Sequence, residues 1–230
     1  MNAEVRPNWT YGENVSLQQV PGVMVPADYP TPYFTSQLLT ESEADEVHHA
    51  VIAQYKTKQL HQVYQPDGTG SQVNLDSRYT HAYDYYMIPN ARSIEAKFNS
   101  EVNRVAQMWW NKQSTPIYNP QILGYEEKCR FLTHCDNSVW ANNQWFQNDP
   151  LRDVTALLYI SDCVNTVTRP NQHSGGELVL DNVQTATGPV RISPKKGQFV
   201  MFPSHPAYRH QVTQVTRGYR IAIVNWWQLR

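Results

Sequence analysis

Two hydrophobic periods divide this 230-residue chain, and the change from one to the other falls near residue 120. Before it, apolar residues recur at helical spacing. Ala44, Val47, Val51 and Tyr55 follow Thr40-Glu41-Ser42-Glu43, which fits a capping box and predicts a helix start. Ile94, Phe98, Val102, Val105 and Trp109 form a clearer stripe and predict a second helix over 93–111. The polar stretch from Lys56 to Arg78 carries Asp67-Gly68-Thr69-Gly70, a turn signal, and Tyr79 to Ile88 reads as a strand ended by Pro89. Residues 1–38, rich in Pro, Asn and Thr, read as an irregular arm laid over a core.

After Pro120 the period shortens to that of strands. Candidates are 121–126, 130–135, 154–161, 176–180, 190–193, 197–202, 208–213 and 219–227, with Gly, Pro and Asn clusters between them. Such spacing predicts a sandwich or jelly roll. The expected class is therefore mainly β with N-terminal helices (α+β). Residues 1–119 would supply the arm and supporting helices, and 120–230 the core of one integrated domain. Two polar insertions, Asp136 to Leu151 and Asp162 to Gly175, are expected to act as lids or substrate surfaces.

Charge removes some functions. A net charge of −1 with 19 Lys+Arg leaves no basic footprint, so neither nucleic acid nor an anionic membrane is an expected partner. Met1 to Tyr11 lacks the apolar core of a signal peptide, and no apolar stretch is long enough to cross a bilayer. Three cysteines, Cys129, Cys135 and Cys163, form no CxxC pair. A reduced, cytoplasmic setting is the expectation.

Candidate chemistry centres on His134-Cys135-Asp136. Side chains two apart on a strand share a face, so His134 and Asp136 can ligate together while Cys135 points away as an ordinary thiol. His210 from a distant strand can complete a two-histidine, one-carboxylate face with open positions, a set suited to non-haem Fe(II) oxygenases. Arg220 opens the last strand. Ala222, Val224 and Trp226 share its face, while Ile221, Ile223 and Trp227 make the opposite face apolar too. An arginine buried there needs an anion, either an internal carboxylate or the distal carboxylate of a bound diacid. His205 is a rival ligand to His210. His48 and His49 read as solvated helix residues, and His81 and His173 have no partner cluster in sequence. The Asp67–Gly70 run lacks the context of a phosphate loop.

Three ordered segments carry a resemblance. They are Tyr125 to Asp136 with its His-x-Asp, Ser174-Gly175-Gly176-Glu177-Leu178, and His210 to Arg220. Over residues 120–228 the chain resembles the Fe(II)/2-oxoglutarate dioxygenases of the prolyl 4-hydroxylase type. The resemblance implies a double-stranded β-helix, with His134, Asp136 and His210 as iron ligands and Arg220 pairing with the far carboxylate of 2-oxoglutarate. It also implies that Tyr159 and Tyr125 contact the co-substrate and that Trp226 lies near the substrate. Core packing is the alternative for each aromatic. Lys128, where the family often has glycine, and Gln214, where it often has proline, depart from the pattern. Asp136 itself favours hydroxylation, since halogenating relatives replace it with a small residue.

The implied cofactors are Fe(II), 2-oxoglutarate and O2, with ascorbate as reductant. The implied reaction hydroxylates an unactivated C–H bond and yields succinate and CO2. The expected substrate is a prolyl residue of a peptide or protein, the alternative a free amino acid or other small molecule. A non-catalytic, metal- or ligand-binding jelly roll is a third reading. A nucleic-acid demethylase on the same core would need a basic groove, which the charge opposes.

Overall fold

The strand Arg220–Leu229 organises the molecule because both of its faces are buried. In the computed structural model, which describes residues 10–11, 15–20, 23, 33–64 and 71–230, it lies between Gln121–Tyr125 and Val154–Tyr159, antiparallel to both. Gln198–Pro203 and Phe34–Gln37 extend the sheet beyond Val154–Tyr159, and His81–Tyr83 and Gln59–Leu60 extend it on the other side. A second sheet runs Gly188–Ile192, Leu178–Thr185, His210–Val212, Arg130–His134, Arg78–Tyr79. These two sheets are the double-stranded β-helix that the resemblance implied, in keeping with the sandwich or jelly roll expected from the strand spacing.

Period-two alternation sorts the large sheet's side chains into two cores. Ile122, Leu158, Phe199, Met201, Ile221, Ile223 and Trp227 meet the helices Glu41–Ala53 and Ala91–Trp110 through Val47, Val51, Ile94, Phe98 and Val102. Phe98 stands edge-on to Phe199 and Trp227, with centroids 5.7 and 5.0 Å away. The alternate residues Leu123, Tyr125, Leu157, Tyr159, Val200, Phe202, Ala222, Val224 and Trp226 face Leu178, Leu180, Val190, Ile192 and Val212 of the small sheet. The arm joins in through Phe34–Gln37, and Ser16–Leu17 pairs with Leu178–Thr185.

Local chemistry explains the element ends. The Thr40 hydroxyl accepts from Glu43 N, and the Glu43 carboxylate accepts from Thr40 N, closing the expected capping box. The stretch Tyr79 to Ile88 is not one strand. It breaks at Thr80 and, after His81–Tyr83, turns through the 3-10 segment Tyr85–Met87, because Asp84 caps Tyr86 N at 2.9 Å. His48 is not solvated: it falls on the buried face of its helix with Ala44, Val47 and Val51, at 2% exposure. The Asp67–Gly70 turn lies outside the described residues.

Both insertions contain strands. Ser138–Ala141 and Gln144–Gln147 form a hairpin whose tip residues, Asn142 and Asn143, adopt φ of 50° and 60°, the paired left-handed turn that suits hairpin twist. Asp162–Cys163 pairs with Gln172–Gly175, which pairs in turn with Val215–Gly218. No described helix is long and apolar enough to cross a membrane.

Candidate metal centre and cavity

His134 and His210 are direct cross-strand partners in the small sheet, which brings their rings to 4.2 Å between centroids. Asp136 follows just past the strand end and turns between them. Its Oδ1 lies 3.7 Å from His134 Nε2 and its Oδ2 3.6 Å from His210 Nε2. One ligand atom from each of the three residues falls within 4.8 Å of the other two.

Neighbours aim these atoms. His134 Nδ1 donates to the Leu132 carbonyl at 2.8 Å and His210 Nδ1 to the Tyr208 carbonyl at 3.2 Å. A carbonyl can only accept, so each Nδ1 carries a proton and Nε2 is the ring atom turned toward the centre. Thr155, from the large sheet, donates to Asp136 Oδ2 at 2.6 Å and contacts Ser204 Oγ at 2.8 Å. Burial, reinforced by His210, pushes the His134 pKa down to about 3, leaving a neutral imidazole. Burial alone would raise Asp136, but the imidazoles, the Thr155 hydroxyl and Arg152 hold it below the usual carboxylate range. Two imidazoles and one carboxylate make a donor set for a divalent cation with open positions.

Arg220 is 1% exposed and lies over the rings of Tyr125 and Tyr159 at 4.6 and 5.2 Å. Among the described residues its Nε and Nη2 have no hydrogen-bond partner, and neither does the Tyr159 hydroxyl, which burial raises to about 12 against the pull of the arginine. Convergent orphan donors of this kind fit an anionic carboxylate. The glycines of the Gly-Gly-Glu-Leu segment make room for this arrangement. Gly176 has φ +69°, and a Cβ there would stand 2.8 Å from Arg220 Cδ. A Cβ on Gly175 would meet the Gln214 carbonyl at 2.2 Å. Lys128, at a position where glycine is common in the family, adopts φ 73°, the backbone region that glycine enters without strain.

A cavity of about 610 Å³ joins these groups: His134, Asp136, His210, Arg220, Tyr125 and Trp226 all line it, while Tyr159 is buried beside Arg220. That volume suits a small ligand or the inserted part of a larger one. The Trp226 face is covered by the Arg152 guanidinium at 4.2 Å, so the pocket meets Trp226 as part of a stacked pair. Arg152 also donates to the Asp136 carbonyl at 3.1 Å and ion-pairs with Asp149 at 2.8 Å.

The other candidates are placed elsewhere. His205 caps the turn Pro206–Tyr208 by accepting from Ala207 N. The Cys135 thiol donates to the Ser204 carbonyl at 2.9 Å, away from the ligand set. His173 is buried, with its Nδ1 on the Gly175 carbonyl and its pKa lowered to about 3 by burial and then Arg220. His81 does have neighbours: Glu126 and Cys129 lie within ligand distance of it. Lys58 and Tyr55 hold Glu126 Oε2 at 2.9 and 2.6 Å, so a lysine already balances that carboxylate. Sequence reading missed Thr155, Arg152 and Arg78. All three lie far from the His-x-Asp in sequence or on elements with no periodic signal pointing inward.

Fold and site define a class: a double-stranded β-helix protein with a two-histidine, one-carboxylate centre and a buried arginine in one cavity. Residues 120–228 match the 2OG-Fe(II) oxygenase superfamily. The family implies Fe(II) and 2-oxoglutarate with O2. Among its relatives are PKHD-type hydroxylases of Teredinibacter turnerae, 32% identical over 49% of this chain and 43% of theirs, and of Xanthomonas campestris, 30% identical over 61% and 57%. The chain thus spans about half the length of the known relatives it matches. The fold is also that of a Trichoplax adhaerens prolyl hydroxylase solved with a hypoxia-inducible-factor peptide, with TM-score 0.65 and 19% identity over 86% of this chain and 83% of that one. A Pseudomonas putida prolyl-4-hydroxylase gives TM-score 0.58 and 16% identity, over 86% and 93%.

Proposed function

We propose that this protein is an Fe(II)- and 2-oxoglutarate-dependent dioxygenase that hydroxylates a prolyl residue of a peptide or protein. The observation that carries the reading is the joint presence, in one cavity, of the His134–Asp136–His210 donor set and the unpaired guanidinium of Arg220. Fe(II) would be held by His134 Nε2, His210 Nε2 and Asp136, and when bound with 2-oxoglutarate and O2 it supplies oxidation of an unactivated C–H bond, with succinate and CO2 as co-products.

The chain's own groups have separate tasks. Arg220 binds the far carboxylate of 2-oxoglutarate through Nε and Nη2, and the Tyr159 hydroxyl donates to the same group. Tyr125, whose ring lies against Arg220, bounds that subsite from the cavity side. Thr155 keeps Asp136 oriented, and the Trp226–Arg152 pair walls the side where the substrate ring would lie. The prolyl substrate is supported by the fold shared with enzymes described as prolyl hydroxylases, one of them with a bound peptide. Its hairpin Ser138–Ala141/Gln144–Gln147, with Val139 lining the cavity and Trp140 half-exposed, offers a wall for an extended chain.

The test is succinate formation under air with Fe(II), 2-oxoglutarate and ascorbate as reductant, comparing wild type with His134→Ala across proline-rich peptides and free proline. Peptide-stimulated turnover that is lost in the variant, with a product heavier by one oxygen, is the expected result. Stimulation by free proline alone would move the substrate to small molecules. Absence of turnover, coupled or uncoupled, would overturn the enzymatic reading.

A further inference from the structure

Arg78 poses the same electrostatic problem as Arg220, and the proposed function leaves it unanswered. It comes from the edge strand Arg78–Tyr79, is 8% exposed, and lines the cavity. Its guanidinium lies 4.5 Å over the Phe131 ring, and Phe131 in turn stacks on His134 at 3.5 Å and 15°. Guanidinium, phenyl and imidazole thus form three layers ending at a metal-facing ligand.

Most of its hydrogen-bonding capacity is unused. Nη1 reaches the Gln62 carbonyl at 3.4 Å, Nε has no partner, and Arg78 makes no ion pair among the described residues. Burial lowers its pKa to about 10, so it remains a cation at neutral pH. A buried cation without a counter-charge is strongly unfavourable.

Among the described residues the cavity is lined by three arginines and two aspartates. Asp136 belongs to the ligand set. Asp149 is engaged by Arg152 at 2.8 Å and by the Tyr118 hydroxyl at 2.6 Å, which also accounts for Arg152. Arg220 is accounted for by the co-substrate. Asp136 attracts Arg78 through space but is committed to the ligand set, so among the described residues Arg78 is left without an anion of its own, and the polar cavity-wall residues His61, Gln62, Asn74, Ser77 and Gln121 include no acid.

We propose that Arg78 forms a carboxylate subsite for the substrate, so that the molecule hydroxylated carries a carboxylate close to the oxidised C–H bond. The proposal rests on the dioxygenase reading of the cavity and narrows its substrate. Two sources share the chemistry: the α-carboxylate of a free or C-terminal amino acid, and the side chain of an aspartate or glutamate beside the target residue.

The experiment measures binding by calorimetry, without oxygen, to the protein loaded with Fe(II) and 2-oxoglutarate. The probes are free proline, a proline-terminated peptide with a free carboxylate, the same peptide amidated, and an amidated peptide with glutamate beside the proline. A carboxylate-bearing probe should bind wild type about 10- to 100-fold more tightly than the neutral amide, the range of a charge-assisted hydrogen bond. The ratio should collapse toward one in Arg78→Gln and Arg78→Met, the second variant replacing the cation with an apolar side chain that the buried site tolerates. Preference for the free terminus assigns the α-carboxylate, and preference for the glutamate peptide assigns the side chain. Equal affinity for acid and amide in wild type, failure of every probe to bind, or a preference that survives in Arg78→Gln would overturn the proposal. So would an Arg78→Gln effect confined to the Kd of 2-oxoglutarate. Charge-dependent binding with no hydroxylated product on admitting air keeps the subsite and overturns the prolyl reading. A hydroxylated product without charge dependence does the reverse.

Discussion

The two faces of the strand Arg220–Leu229 are buried to a similar degree and serve different ends. Ile221, Ile223 and Trp227 are wholly enclosed against the helices, and the one polar atom among their side chains, Trp227 Nε1, donates to Asn99 Oδ1 at 3.1 Å. Arg220, Ala222, Val224 and Trp226 are also buried, yet among the described residues this face keeps unpaired donors at Arg220 Nε and Nη2 and Trp226 Nε1, and it borders the cavity. Burial by itself does not separate a core from a site. Unsatisfied polar capacity does, because a packed core has no use for a donor without an acceptor.

Substitutions on the two sides should therefore diverge. The largest expected effect is Asp136→Ala, which removes the only carboxylate of the donor set; succinate formation is abolished and Fe(II) binding is lost in calorimetry. Retained metal affinity would mean that the centre lies elsewhere. Phe98→Ala, beneath the helix-facing side, should lower unfolding stability by about 3–5 kcal/mol in urea titration, while the KM for 2-oxoglutarate of the folded fraction stays as in wild type.

Arg220→Met reverses that pattern. The KM for 2-oxoglutarate should rise about 10- to 100-fold, as expected on losing a charge-assisted contact. The urea midpoint of the metal-free protein should rise as well, because a buried unpaired cation is replaced by an apolar side chain. A midpoint that falls would erase the contrast between the faces. Gly176→Ala should be mildest. Its left-handed backbone and the 2.8 Å approach of Arg220 Cδ predict about 1–2 kcal/mol of destabilisation and a several-fold rise in the same KM. A KM that does not move would show that the glycine serves only the turn.

How much of this was legible in the residues depends on the range of the interaction. Alternation over Arg220–Trp227 revealed a strand buried on both faces, and His134 and Asp136, two apart, were readable as one side of a ligand set. The helix from Glu41 was readable from its capping box, but His48 was not, since a polar residue inside an apolar stripe is buried or exposed according to what packs there. Asn142-Asn143 is a hairpin signal that the surrounding polarity of the insertion masked. Asp84 broke the strand that followed Tyr79 through a local cap that period-two patterning does not register.

By itself the sequence determined the helices and the short strands after Pro120, because these depend on periodicity, and it pointed to His134, Asp136 and His210 as a candidate donor set. Only the tertiary structure decided that His134 and His210 are cross-strand partners, that Thr155 holds Asp136, and that Arg78 stands over Phe131 inside the cavity. Those relations join residues from separate strands through sheet register and packing. A pairing set by register across a sheet leaves no periodic trace in either strand alone.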